Sequence, residues 1–205
     1  MITLPETSSR GEHTRSQILS AAYTLFNRQG YHGTSMRQIA ETAGVALGGI
    51  YNHFENKEQI FVRVLLEHHP IYEVLPQLRN AQGETLRQLL ADAATRLVQR
   101  FDERLDFLNL MFIEMVEFDA RHLDELFDQI SPQVLEFGQR LQAWQDELRP
   151  IPLPIVMRSF LGMFFSYVIT EYLFGGRLPA PMRQGALDHF IDIFLHGISK
   201  NLSED

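Results

Sequence analysis

Apolar residues return every three or four positions along most of this chain, which is the spacing of one face of an α-helix. The stripe of Ile18, Ala22, Leu25 and Phe26 predicts a first helix, and Gly30 is placed to end it. No two alternating runs flank a hairpin turn, so the pattern predicts an all-α protein. Further stripes predict helices over 84–103, 104–118, 120–148, 153–174 and 183–200.

The stretch 30–58 predicts a helix-turn-helix. The small residue Ala40 lets two helices pack closely, and Gly44 ends the first of them where a left-handed conformation is needed. A short second helix is predicted over 46–53, with Ile50 facing the core. In such a motif the second helix enters the major groove of DNA.

The end of the fourth predicted helix divides the chain. Asn56 is placed to cap this helix and Pro70 to break it. We therefore expect a flexible arm over 1–13, a three-helix head over 14–67 and a helical body over 68–205. The predicted helix-turn-helix places DNA binding in the head.

The head also carries a family signature. It resembles the N-terminal part of the tetracycline-repressor (TetR) family of bacterial transcription regulators over about 15–61, whereas the body matches only in its length and helical style. The resemblance implies a homodimer whose body binds a small molecule and dimerises. The residues that carry it are Thr34-Ser35, Ile39-Ala40, Ala43-Gly44-Val45, Gly48, Tyr51, His53-Phe54 and Lys57-Glu58.

The DNA contacts are predicted from side-chain chemistry and from the resemblance. Hydroxyls and free N–H groups at a helix start suit a phosphate, as do Tyr51, His53 and Lys57. Asn52 can pair with adenine and Leu47 can meet a thymine methyl. The full predicted set is Thr34, Ser35, Arg37, Leu47, Gly48, Gly49, Tyr51, Asn52, His53 and Lys57.

The second helix of the motif departs from the family pattern in two ways. Ala46 stands where a Ser or Thr cap is usual, which costs about 0.5–2 kcal/mol of local stability. Gly48 and Gly49 stand side by side, and each weakens a helix by up to about 1 kcal/mol against alanine. We expect a soft recognition helix that relies on phosphate register and DNA shape.

Charge is distributed unevenly along the 205 residues. The net charge is −8, yet residues 1–60 hold five basic and five acidic residues, so the excess lies entirely in 61–205. A neutral head on an acidic body binds DNA by orienting a few cations. The absence of cysteine excludes disulfides and thiolate metal sites and fits a cytoplasmic protein.

The most apolar run is 151–174. It contains Pro152, Pro154, Arg158 and Glu171, and its uncharged part is too short to span a bilayer. We therefore expect a buried helix and no membrane partner.

The last two predicted helices carry the dimer candidates. A stripe of small residues on the first lets helices approach closely, and an apolar stripe on the second would complete a four-helix bundle with the partner. The alternative is that both helices form the core of a single chain. The predicted interface is Ser159, Gly162, Ser166, Leu187, Phe190, Ile191, Phe194 and Ile198.

Soft and aromatic side chains in the body predict a pocket for an apolar or amphipathic effector. Glu114, Glu117, Asp119 and Glu171 lie in or beside the same stretches, where they could receive a cationic lipophile or form solvated helix faces. The predicted lining is Phe107, Met111, Met115, Phe118, Trp144, Met157, Phe160, Phe164 and Tyr167.

Two other functions remain open at this point. One is a helical small-molecule binder without operator activity, supported by Ala46 and the glycine pair. The other is a metal-dependent helical enzyme, supported by Asp119 and His122, one helical turn apart, although no second copy of the motif is present. No phosphate loop or dinucleotide fingerprint occurs, and we predict no cofactor and no metal. The favoured function is a ligand-responsive regulator, a repressor released from a palindromic operator.

Overall fold

The computed structural model of the chain describes residues 10–199, with the backbone alone described at Arg10, Glu125 and Gln129. Within this range the structure is α-helical, and its one β feature is an isolated bridge between Leu148 and Ser199, so the all-α prediction is confirmed. The helices are α1 Arg10–Gln29, α2 Met36–Ala43, α3 Leu47–Ile50, α4 Lys57–Glu67, α5 Ile71–Asn80, α6 Leu86–Asp102, α7 Phe107–Glu117, α8 Leu123–Arg140, α9 Leu153–Phe174, α10 Ala180–Arg183 and α11 Ala186–Ile198, with a 3₁₀ turn over Leu141–Trp144.

Local capping signals in the sequence set the ends of the short N-terminal helices. Ser35 caps α2, where its hydroxyl accepts the Gln38 backbone N–H at 3.2 Å and the Gln38 side chain accepts the Ser35 N–H at 2.9 Å. Gly44 ends α2 at φ +70°, a conformation that glycine adopts without strain. Asn56 caps α4 by accepting the Gln59 N–H at 2.9 Å. These three predicted caps are confirmed.

Two element boundaries differ from the prediction. Helix α1 begins at Arg10, so residues 10–13 of the predicted arm are helical, and residues 1–9 of that arm lie outside the described residues. Helix α3 is a single turn, shorter than the predicted 46–53, and Ala46 provides no side-chain hydrogen bond to its start. An uncapped segment with two adjacent glycines gains too little from helix formation to extend further.

The chain forms two compact units. Among the described residues, the first unit comprises 10–69 together with Asp106–Asp124, and the second comprises Pro70–Leu105 together with 125–199. The predicted head thus lacks α7, which sequence analysis placed in the body. Helix α7 joins the first unit because Phe107, Leu110 and Phe118 are buried in the same apolar core as the helix-turn-helix.

Helices α6, α9 and α11 pack together in the second unit. The ring of Phe160 on α9 lies 5.7 Å from that of Phe194 on α11 and 5.9 Å from that of Phe137 on α8. Three residues predicted for the dimer surface, Ile191, Phe194 and Ile198, are therefore buried inside the chain itself. Their assignment to the interface is corrected, because α11 is apolar on more than one face and the sequence does not say which face turns inward.

Helix α9 is only partly buried, contrary to the prediction for its segment. Its 22 residues make it long enough to cross a membrane, and its most apolar window has a mean hydropathy of 1.5, yet only 28% of that window is buried. Phe160 and Phe164 face the core, whereas Phe165 is exposed. Since α9 presents a second apolar face, a single chain leaves much of this surface uncovered.

Candidate nucleic-acid interface

The helix-turn-helix is anchored on one side and presented on the other. Ile39 and Ala40 on α2 and Ile50 on α3 are buried in the first unit's core. On the outer side, Leu47 and Tyr51 are 42% and 52% exposed. A surface that leaves large apolar and aromatic side chains in water beside a fixed helix is suited to contact base edges and phosphates.

Arg37 extends from the first turn of α2 and is largely exposed. Its Nε donates to Glu41 Oε1 at 2.9 Å, one helical turn away, and this hydrogen bond raises the pKa of Arg37. Water screens an exposed pair of this kind, so it contributes little to stability. Exchanging the carboxylate for a DNA phosphate therefore costs little, and Arg37 stays a predicted contact.

Thr34 is misassigned by the sequence analysis. Its side chain is 99% buried, with a relative exposure of 1%. Its hydroxyl donates to Gly30 O at 2.8 Å, and its own N–H donates to Tyr31 O at 3.2 Å. Both donors are thus used within the turn between α1 and α2, so Thr34 shapes the entry into α2 and offers nothing to a phosphate.

Lys57 also acts inside the protein. Its ammonium donates to Tyr31 O at 2.6 Å and to Thr34 O at 2.7 Å, and it lies 4.0 Å from the centre of the Tyr31 ring. Burial lowers the pKa of Lys57. The charge of Lys57 is directed at two carbonyls of the α1–α2 turn, so this residue positions the start of α2. Sequence analysis had predicted that Lys57 contacts a DNA phosphate.

We expect Lys57→Met to lower the free energy of unfolding by about 1.5–3 kcal/mol, because two carbonyls of the α1–α2 turn lose a charged donor. Operator affinity should fall as well, since the turn that sets the start of α2 loosens. Urea denaturation followed by circular dichroism measures the first effect. The matched control is Arg63→Met, an exposed cation on the same helix, which should leave stability within about 0.5 kcal/mol of the parent. Equal stability of the two variants would contradict this structural role of Lys57.

The adjacent glycines of α3 are not demanded by the fold. A Cβ added at Gly48 or Gly49 would meet no atom within 4 Å. The bare backbone at this point of the surface therefore leaves room for something outside the chain, as in sites where a backbone closely approaches a ligand. Asn52 is exposed and His53 half-buried beside them, so these four positions stay predicted DNA contacts.

Sequence analysis missed a polar cluster that braces the first unit. Glu114 on α7 is completely buried, and its carboxylate accepts both the backbone N–H and the ring Nδ1 of His122 at 2.9 Å. The other ring nitrogen of His122 lies 3.4 Å from Glu58 on α4, which also receives Arg121 at 2.7 Å. This cluster ties α7 to α4 of the helix-turn-helix unit. No spacing rule in the sequence brings these four residues together.

The same cluster weakens the metal alternative. Both ring nitrogens of His122 face carboxylates of Glu114 and Glu58, whereas the alternative pairs His122 with Asp119. Across the described residues, no three His, Asp or Glu side chains are arranged to hold a metal ion.

The predicted effector lining is dispersed. Phe107, Met111 and Phe118 belong to the core of the first unit or pack against it, and Met115 is 56% exposed. In the second unit, Met157, Phe160 and Phe164 are buried in the core and Trp144 is half-buried. Tyr167 is the member of the set that lines an open cavity of about 330 Å³ near the end of α9.

Comparison with known proteins places the chain among transcription regulators. The family model "Bacterial regulatory proteins, tetR family" matches residues 18–64. The transcriptional regulator YvkB of Bacillus subtilis is 26% identical over 196 residues, covering 91% of this chain and 97% of YvkB. TtgR of Pseudomonas putida is 32% identical over 117 residues, 55% of each chain.

A solved structure agrees over both units. NalD of Pseudomonas aeruginosa, the secondary repressor of the MexAB-OprM multidrug efflux pump, superposes with a TM-score of 0.64 at 26% identity. The similarity covers 93% of this chain and 99% of NalD. The helical arrangement following the helix-turn-helix is thus shared as well.

Proposed function

Because the chain belongs to the TetR family of bacterial transcription regulators, we propose that it binds a palindromic operator as a homodimer and is released when a small molecule binds its body. The observation that carries the proposal is the helix-turn-helix with a buried inner side and an outer side exposing Leu47 and Tyr51. NalD, which shares the fold, is a repressor, and this supports repression here.

The charge of the chain shapes how it would recognise DNA. With equal numbers of acidic and basic residues over 1–60, the head gains little from general attraction to phosphates. Binding then depends on correct placement of a few groups, which favours selective contacts over non-specific ones.

Selection of bound duplexes from a random-sequence pool tests the operator proposal. We expect enrichment of an inverted repeat whose half-sites are spaced by about one helical turn, 10–10.5 base pairs, or a multiple of it. Enrichment of a single half-site would contradict the dimer, and no enrichment would contradict operator binding itself.

The proposed dimer surface lies on the outward faces of α9 and α11. Ser159, Gly162 and Ser166 are exposed along α9, and a Cβ added at Gly162 would meet nothing within 4 Å. On α11, Ile193 is 73% exposed. Small residues beside an uncovered apolar helix face allow close packing against a second copy, which supports these helices as the interface. Of the originally predicted α11 positions, Leu187 and Phe190 are half-buried and stay candidates.

We expect Ile193→Asp to convert the dimer into monomers, because a carboxylate would be desolvated in the centre of the apolar contact. Operator affinity should fall together with dimerisation, since one head reads only half of a palindrome. Analytical ultracentrifugation at micromolar concentration measures the first effect. Val116→Asp is the matched control, since Val116 is 76% exposed on α7. A dimeric Ile193→Asp protein, or an equally monomeric Val116→Asp protein, would contradict this surface.

An effector releases the protein from the operator when its affinity differs between the DNA-binding state and the released state. A small molecule lowers operator occupancy only if it binds more tightly to the state of the dimer that does not fit the operator. Each tenfold loss of operator affinity requires about 1.4 kcal/mol of such preference. As a DNA-binding regulator, the protein is proposed to act in the cytoplasm.

A further inference from the structure

We propose that the cavity at the ends of α6 and α9 binds an organic ammonium ion that carries an aromatic or aliphatic group. Binding there is a property of the second unit alone, and only its regulatory consequence rests on the function proposed above. The cavity has a volume of about 330 Å³ and is partly open. This size lies at the lower end of small-molecule sites. The residues that matter are Asp102, Tyr167, Val168, Glu171, Tyr172 and Arg183.

Two carboxylates give the cavity its charge. Asp102 and Glu171 form no ion pair within the described residues, and neither does the exposed Arg183 at the same cavity. One positive and two negative side chains leave a net negative site. A cation can therefore pair with a carboxylate here without displacing an existing partner.

Gly175, which follows α9, leaves space beside Glu171 that a side chain would fill. A Cβ at Gly175 would lie 2.5 Å from the Glu171 main-chain oxygen and 2.7 Å from its Oε2, so the main chain itself favours glycine here. Glycine thus lets the carboxylate lie against the chain at the wall of the cavity.

Glu171 is half-buried and Asp102 is exposed, so water is removed from the two carboxylates only in part. Burial raises the pKa of Asp102, and burial together with the charges of Glu171 and Asp102 raises the pKa of Tyr167. The Tyr167 hydroxyl therefore lies in the negative field of both carboxylates. The negative field attracts a cation and repels an anion, and partial removal of water strengthens both effects.

Besides the carboxylates, the cavity offers aromatic rings that can contact a bound cation. The Tyr167 ring packs edge-on against Phe190 with centroids 5.6 Å apart, which limits its rotation, and Tyr172 adds a second, partly exposed ring. Ring faces attract ammonium groups and also cover the apolar part of a ligand, as Val168 does. A bare metal ion fits less well, because no three acidic or histidine side chains of the described residues are arranged to hold one.

The site lies on the helix that carries the proposed dimer stripe. Tyr167 follows Ser166 directly, and Glu171 lies about one turn further along α9. A ligand that restrains this end of α9 therefore acts on the element that we propose to pack against the second copy, which offers a route from the cavity to operator release.

Isothermal titration of the full-length protein with 2-phenylethylammonium and with its neutral analogue 2-phenylethanol tests the proposal. We expect the amine to bind at least tenfold more tightly than the alcohol. Glu171→Gln and Asp102→Asn should each weaken amine binding at least fivefold, with little change for the alcohol. Glu147→Gln, an exposed carboxylate away from the cavity, should change neither.

Equal affinity for amine and alcohol, no amine binding at 10 mM, or unchanged binding in both cavity variants would overturn the cation site. Thermal melts show whether each variant is folded. If Glu171→Gln does not fold, the affinity of Asp102→Asn for the amine tests the site. Operator binding is measured in parallel. If the amine binds but operator affinity stays unchanged, the cation site is retained and its regulatory role is refuted. If the parent protein binds no operator, only the proposed function is refuted.

Discussion

Tyr51→Ala is expected to lower operator affinity by about 5- to 150-fold without changing the stability of the protein, because a direct DNA contact contributes about 1–3 kcal/mol. Tyr51 is half exposed at the end of α3 and has no hydrogen-bond or ring partner among the described residues, so its removal leaves the core untouched. Fluorescence anisotropy on the selected operator measures the affinity, and circular dichroism melts measure the stability.

Two further variants sharpen this result. Tyr51→Phe keeps the ring and removes the hydroxyl, so it separates a phosphate hydrogen bond from apolar contact with the groove. Tyr72→Ala removes a similarly exposed tyrosine from the second unit and should leave operator affinity within about twofold. If Tyr51→Ala bound the operator as tightly as the parent, the outer side of α3 would not be the reading surface.

Glu114→Ala is expected to lower the free energy of unfolding by about 3 kcal/mol, because two donors of His122 lose the buried carboxylate that they share and a cavity is left behind. The variant leaves the His122 backbone N–H and ring Nδ1 without their shared acceptor. It also loosens the turn at Asp119 and Ala120, whose φ angles of 52° and 60° are unfavourable for residues other than glycine. Urea denaturation measures the loss.

Two other glutamate variants test whether burial is the cause. Glu117→Ala removes a carboxylate from the same helix, but its partner His32 is largely exposed, so we expect a loss of at most about 1 kcal/mol. Glu114→Gln retains an acceptor oxygen and should fall between the two alanine variants. A Glu114→Ala protein as stable as Glu117→Ala would mean that the cluster does not brace the first unit.

The short N-terminal elements were predictable because their signals are local. Ser35 reaches Gln38 three residues away, Asn56 reaches Gln59, and Gly44 needs only its own backbone freedom. Each of these interactions forms within one turn of helix, so the sequence spacing alone determines it.

The role of Lys57 depends on distant partners, and that of Thr34 on how the turn between α1 and α2 packs, so neither could be predicted. Lys57 contacts carbonyls 26 and 23 residues earlier in the chain, so it resembles an exposed cation until the turn between α1 and α2 is in place. Thr34 bonds to nearby Gly30 and Tyr31, but its burial depends on how the folded turn packs. Residue type indicated polar groups at this turn but not which partners they contact.

Sequence analysis could not predict which faces of the later helices are buried. Helix α11 carries Ile191, Ile193 and Phe194 within one turn, and only packing against α6 and α9 shows that Ile193 points outward. Likewise, the apolar stripe of α7 does not reveal that its partner is the core of the helix-turn-helix. Periodicity predicts a buried face but not what covers it.

The central claim, that this chain reads a specific operator as a dimer, is tested most directly by fluorescence anisotropy. The purified protein is titrated into a labelled duplex from the DNA flanking its own gene and into a scrambled duplex, each at a low and a physiological salt concentration. We predict tight binding to the first duplex, saturation at two chains per duplex, and selectivity that persists at the higher salt. Equal binding to both duplexes that modest salt abolishes would show only non-specific attraction to phosphates and would contradict the claim.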